Sequence, residues 1–245
     1  QAGLRAPVVR FHGLYVRATY TPAPGAGVLV FRCVLWDRQV GGAFRGLLQQ
    51  FAAAGPGRAS FKFLEAGEHM DYDDMVKHRA VFLFPWDSEL VIFNELFSAN
   101  VPLILPDLAW LGKWQPFIPW GSTDRGDGTE TNDWSLDAGV RPPSWPCAPW
   151  IENRGVLKGT WSELQADVFT DECPRFWMHQ THFMQYPHIL RVASVPELVL
   201  ATLREDFTGI SRAMGSFNHG SLQRSLRFYR WAFSWLLEGR LNAAT

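Results

Sequence analysis

Two short runs constrain this chain more than anything else in it. They are Ala80–Phe84 (AVFLF), bounded by Pro85, and Pro102–Leu105 (PLIL), closed by Pro106. Each is apolar without interruption, so a strand made from it needs cover on both faces. Interior strands of parallel sheets have that cover, whereas a half-exposed antiparallel strand alternates. The spacing predicts a helix over Ser88–Ala99 between them, and a strand, helix, strand unit with short connections closes as a right-handed parallel crossover.

The preceding residues repeat the rhythm. Val8–Val16 (VVRFHGLYV) and Val28–Leu35 (VLVFRCVL) are short, apolar and β-branched, as strands are, with Pro22, Pro24, Gly25 and Gly27 punctuating between them. Gly42–Ala54 has helical spacing and stops at Gly55-Pro56-Gly57. Ser60–Leu64 predicts a third strand, and Asp71–His78 one or two helical turns, acidic first and basic last, as the helix dipole favours. The expected fold class is therefore α/β, a Rossmann-like doubly wound parallel sheet.

From 107 to about 185 the rhythm is lost, and Gly121–Asp137 reads as an exposed or mobile polar loop. A strand at Ile189–Ala193 and a helix at Val195–Leu203 then follow, the helix capped by Ser194 with Pro196 and Glu197 in its first turn. Ser221–Leu237 carries Leu222, Leu226, Tyr229, Phe233 and Leu236 at steps of four, three, four and three, an apolar helical stripe that must dock on something. The organisation expected is a nucleotide-binding core over 1–106, a Trp/Pro-rich irregular insertion over 107–188, and a final strand with closing helices over 189–245.

Composition narrows the function classes. With 23 basic and 24 acidic residues the net charge is −1, which argues against a nucleic-acid partner. No apolar stretch approaches the roughly 20 residues that cross a bilayer, so no membrane segment is expected. The first residue is Gln1, with no charged and apolar leader after it, which points to a fragment or a trimmed chain. Cys33, Cys147 and Cys173 lack metal-type spacing, and no Asn-x-Ser/Thr acceptor occurs. The compartment stays open between the cytoplasm and the Golgi or ER lumen. His179, His182 and His188 include an HxxH pair, but no carboxylate or thiol completes a zinc set, so no metal is expected. There is no Gly-x-Ser-x-Gly elbow, no P-loop lysine pattern and no GxGxxG after a strand, which disfavours a hydrolase, an NTPase and a dinucleotide oxidoreductase.

The 12 tryptophans, many of them between Trp110 and Trp177, carry two readings. A flat indole covers the C–H face of a pyranose, which would make the insertion a carbohydrate-binding surface. Large rings also bury area cheaply in an irregular segment.

The stretch Tyr72–Pro106 (YDDMVKHRAVFLFPWDSELVIFNELFSANVPLILP) resembles the C-terminal, nucleotide-sugar donor domain of GT-B glycosyltransferases. There a strand leads to a short loop, a helix with two acidic residues eight apart, a small-residue turn, a proline and a second strand. Here Pro85 ends the strand, Asp87 and Glu95 are eight apart, and Ala99-Asn100-Val101-Pro102 leads into PLIL. The resemblance covers roughly 28–106, and more loosely the whole chain. It implies that a nucleotide-diphosphate sugar is bound as donor substrate, with no bound cofactor or metal, and that the sugar passes to a glycan or other acceptor held by an N-terminal acceptor domain outside this chain.

By that resemblance Glu95 holds the ribose and Asp87 sits near the donor sugar or phosphates. The helix turn Asp87–Leu90, with Ser88 and Glu89, offers N–H groups to the diphosphate. Arg32 and Arg38 would clamp the departing diphosphate, with Gly41-Gly42 at the next helix start. His12, in RFHG, is expected to face the cleft. Asp87 and His12 are thus the catalytic candidates, and Glu95, Ser88, Glu89, Arg32 and Arg38 the donor-binding ones. The chain departs from the family in having Asp87 where Glu is usual, with Glu89 two residues off register. It also has Asn100 where Gly is usual, and Asn is the non-glycine residue best suited to left-handed backbone. The acidic departure keeps two alternatives in view: a non-catalytic relative acting in binding or scaffolding, and a Trp-based carbohydrate-binding module.

Overall fold

A computed structural model describes residues 10, 12–31, 36, 39–54, 59–65, 67–85, 90–114 and 181–242. The strands are β1 (Val28–Val30), β2 (Phe61–Phe63), β3 (Ala80–Phe82), β4 (Leu103–Pro106) and β5 (Leu190–Val192). The helices are α1 (Gln39–Ala54), α2 (Tyr72–Met75), α3 (Val91–Ser98), α4 (Leu108–Trp114), α5 (His182–Gln185), α6 (Val195–Arg204) and α7 (Phe207–Asn242). The five strands form one sheet in the order β2-β1-β3-β4-β5, with every pairing parallel.

The apolar runs behave as their composition demands. Val28, Leu29, Val30, Ala80, Val81, Phe82, Leu103, Ile104 and Leu105 are all 0 % exposed, as interior parallel strands must be. From β1 the chain crosses to β2 on one side, and from β3 it crosses to β4 on the other. Right-handed crossovers therefore put α1 and α3 on opposite faces. In keeping with this, α1 packs on α6 and α3 packs on α7. Beside α1 lies a ring layer in which Phe44 stacks on Trp36 at 5.0 Å and on Phe82 at 5.8 Å, with Phe63, Phe84 and Trp110 around them. Beside α3, Phe93, Phe97, Phe183, Tyr186 and Phe217 form a second layer.

Several expectations are corrected. Where described, Val8–Val16 is not a strand. It is a strap lying on α3, because Gly13 comes so close that a Cβ there would stand 3.2 Å from Glu95 Cα, and its N–H is spent on Ser98 Oγ at 3.0 Å instead of on a neighbouring strand. Helix α3 starts at Val91, not Ser88: Leu90 is buried in the core with extended geometry (ψ 92°), and that anchor fixes where the helix can begin. Helix α4 occupies part of the stretch read as irregular. Helix α7 begins at Phe207, well before Ser221, and Asp206 accepts the Gly209 N–H at 2.9 Å as an N-cap does. The predicted cap of α6 is present, with Ser194 Oγ accepting from the Glu197 N–H. The Trp/Pro-rich stretch from 115 to 180 lies outside the described residues.

The turn after α3 is built on Asn100, whose φ of 61° is left-handed, as expected for a position where glycine is usual. Val101 N–H reaches Leu96 O at 3.0 Å and Asn100 N–H reaches Phe97 O at 3.1 Å, the paired bonds of a Schellman ending. Asn218 of α7 closes over that ending, its Nδ2 donating to Phe97 O at 2.7 Å and to Asn100 Oδ1 at 2.6 Å.

Candidate functional site

In open parallel sheets ligands settle outside the carboxyl ends of the strands, where the strand order reverses. Here that point lies between β1 and β3, which pair while the chain leaves them towards opposite edges. Just past β1, Trp36 Nε1 donates to Phe31 O at 2.7 Å. Helix α1 follows, with Gly41 and Gly42 in its first turn and no acidic residue there. Gly42 is exposed, and a Cβ on it would meet nothing within 4 Å. The segment leaving β3 runs to Leu90, and α3 starts with neither an acidic first turn nor a side-chain cap. An unclaimed helix N-terminus presents free N–H groups and partial positive charge.

The sequence candidates divide into two sets. Arg32 and Arg38 come after β1 in sequence and Asp87, Ser88 and Glu89 after β3; all five lie outside the described residues. Glu95 and His12 are described, and their side chains have different partners. Glu95, on α3, is only 8 % exposed. Its carboxylate accepts the Tyr15 hydroxyl in a short hydrogen bond and also engages the Tyr72 hydroxyl from α2. That bond to Glu95, ahead of burial, pushes Tyr15 up to about 12, and burial followed by the bond to Glu95 raises Tyr72 as well. His12 lies half-buried against α7, with Nε2 at 3.4 Å from Ser221 Oγ and 3.5 Å from Ser225 Oγ. Burial, then the nearby Arg10 charge, holds its pKa below the usual histidine range.

Arg10 is the residue that sequence reasoning missed. Its guanidinium lies 4.5 Å from the ring centres of both Phe97 and Tyr186 and 5.4 Å from that of Phe217. Nη1 donates to Asn218 Oδ1, while Nε and Nη2 are buried without a hydrogen-bond partner and are compensated by ring faces. Only the V-V-R-F alternation around it was visible in the sequence, and that signal points to a strand. On the same face His182 Nε2 lies 3.2 Å from Asn94 Nδ2, which gives this histidine of the HxxH pair a packing contact. Among the described residues no group of three histidine, cysteine or acidic side chains is placed to hold a metal ion.

No family model matches the chain, and neither a curated protein nor a solved structure matches it.

Proposed function

We propose that this chain is the nucleotide-sugar donor domain of a GT-B-type glycosyltransferase, a Rossmann-like doubly wound domain that holds a nucleotide-diphosphate sugar where the strand order reverses. The observation that carries this reading is the order β2-β1-β3-β4-β5, all parallel, whose reversal between β1 and β3 is the place where open parallel sheets take a ligand. Support comes also from the acid-free first turns of α1 and α3 and from the open space beside Gly42. Such a crevice suits a diphosphate, with Arg32 and Arg38 offsetting the charge that develops as the glycosidic bond breaks. Asp87 serves the sugar side, and Ser88 and Glu89 line the turn beside the phosphates. The acceptor, a glycan or another hydroxyl compound, comes from a separate acceptor domain. Glu95 binds the ribose by exchanging its tyrosine hydroxyls for sugar hydroxyls of the same donor chemistry.

A second reading, a non-catalytic relative that binds without transferring, is favoured by that same carboxylate, whose acceptor sites already have two phenolic partners. Calorimetric titration with UDP, GDP and ADP tests the first reading. One of the three is expected to bind at micromolar affinity, and Arg32→Ala with Arg38→Ala is expected to abolish it. Glu95→Gln, which still accepts from Tyr15 and Tyr72, separates ribose binding from fold maintenance. Absence of binding by all three nucleotides sinks the donor-site reading.

A further inference from the structure

Helix α7 has two halves in different surroundings. The first is seated through Phe207, Ser211, Met214, Ser221 and Ser225, all buried. After Ser225 no described side chain of the helix is buried, and Tyr229, Trp231, Phe233, Trp235, Leu236 and Leu237 are between 49 and 65 % exposed, with Leu226 at 38 %. The stripe Leu222, Leu226, Tyr229, Phe233 and Leu236 is thus not the one that docks. The docked stripe is turned away from it and is made largely of serines. The helix presents to solvent the side chains that gain most from leaving water.

The charge on this helix is one-sided. From Phe207 to Asn242 its sequence carries Arg212, Arg224, Arg227, Arg230 and Arg240 against one carboxylate, Glu238, in a chain whose net charge is −1. Gln223, Arg227, Arg230 and Ser234, at steps of four, three and four, form a polar stripe flanking the apolar ones. Pairing with a second copy would bury the apolar stripes while bringing five arginines of each helix together with only Glu238 of each to answer them. A nucleic acid would answer the arginines but give the seven exposed apolar side chains nothing. An anionic lipid surface answers both.

We propose that the exposed half of α7 lies in the interface of an anionic lipid bilayer. Trp231, Trp235 and Tyr229 sit at headgroup depth, Phe233, Leu236 and Leu237 reach the acyl boundary, and Arg227 and Arg230 pair with lipid phosphates and carboxylates. The helix lies on the membrane and does not cross it; no described helix is long and apolar enough to span a bilayer.

Cosedimentation of the full chain tests this, with vesicles of phosphatidylcholine alone and of phosphatidylcholine containing about one-third phosphatidylserine, at low and high salt. Binding to the anionic vesicles is expected, weaker by about tenfold or more on neutral ones and weakened by salt. Arg227→Gln with Arg230→Gln is expected to lower anionic binding by about tenfold or more. Trp231→Ala with Trp235→Ala is expected to abolish it while leaving circular dichroism and the thermal midpoint unchanged, since both rings are exposed. Three results would overturn the proposal: no vesicle binding, equal binding to both lipid compositions with the arginine variant unaffected, or a light-scattering dimer that the tryptophan variant returns to monomer.

Discussion

The two faces of the sheet are both packed with aromatic rings, yet they hold the chain together differently. Beside α1, Trp36, Phe44, Phe63, Phe82, Phe84 and Trp110 interlock, the Trp36 N–H being satisfied locally by Phe31 O. Beside α3, the rings of Phe97, Tyr186 and Phe217 surround the Arg10 cation, and the neighbouring Asn94, His182, Asn218, His12 and Glu95 are tied by directional bonds. The first face is specified by volume, the second by polar partners. A ring core tolerates any chain that fills it, whereas a polar lattice accepts only groups that meet its donors and acceptors. That is how the second face can hold a strap, a helix end and α7 in one arrangement.

The largest break in this comparison comes from the volume-specified side. Phe44, 1 % exposed, packs against the rings of Trp36, Phe63, Phe82 and Trp110, so Phe44→Ala is expected to cost about 3–5 kcal/mol in urea unfolding. Asn218→Leu comes next: it fills the space but strands Asn100 Oδ1 and Arg10 Nη1 and removes one of the two donors to Phe97 O, for about 2–3 kcal/mol in the same measurement. If Asn218→Leu proved neutral, the second face would also be held by volume. Tyr72→Phe is expected to cost about 1–2 kcal/mol. Combined with Tyr15→Phe, it should cost more than the two separately, because the Glu95 carboxylate is then left without either phenol.

The smallest effect is on pH dependence. The His12 pKa is depressed in the folded chain, by burial and then by Arg10, so the unfolded chain binds its proton more readily. Its contribution is complete above the ordinary histidine pKa of about 6.5 and is lost as pH falls below that value towards the folded pKa. His78, depressed by burial and then by Lys62, acts in the same direction. Thermal midpoints measured from pH 7 down to pH 5 should fall less in a His12→Asn, His78→Asn variant than in the parent, while Phe44→Leu should leave the slope unchanged.

The volume-specified parts were legible from the sequence. AVFLF and PLIL admit one environment, and both became fully buried parallel strands. The polar parts were not. VVRFHGLYV alternates as a strand does, but its hydrogen-bond partner is Ser98 on a helix, and the rings around Arg10 come from distant parts of the chain. The first half of α7 was hidden by Gly209, Gly215 and Gly220, which weaken a helix in isolation but not one seated on α3. Of the candidate site, β1 and β3 were legible as apolar runs, but both strands end before those runs do, at Val30 instead of Leu35 and at Phe82 instead of Phe84. The contacts of Glu95 and His12 were not legible, since neither has its partners nearby in sequence.

The clasp between Arg10 and Asn218 joins residues 208 positions apart. A ribosome delivers the first of these long before the second, so the strap over α3 emerges with its arginine unpartnered and waits for nearly the whole chain to follow. The four strands β1 to β4 come from one continuous early stretch and need nothing later to pair with one another. During synthesis the sheet can therefore form while the strap stays loose. Truncation between α6 and Phe217 is expected to leave a protein whose sheet is protected from hydrogen exchange while the amides of Gly13 and Val16 are not.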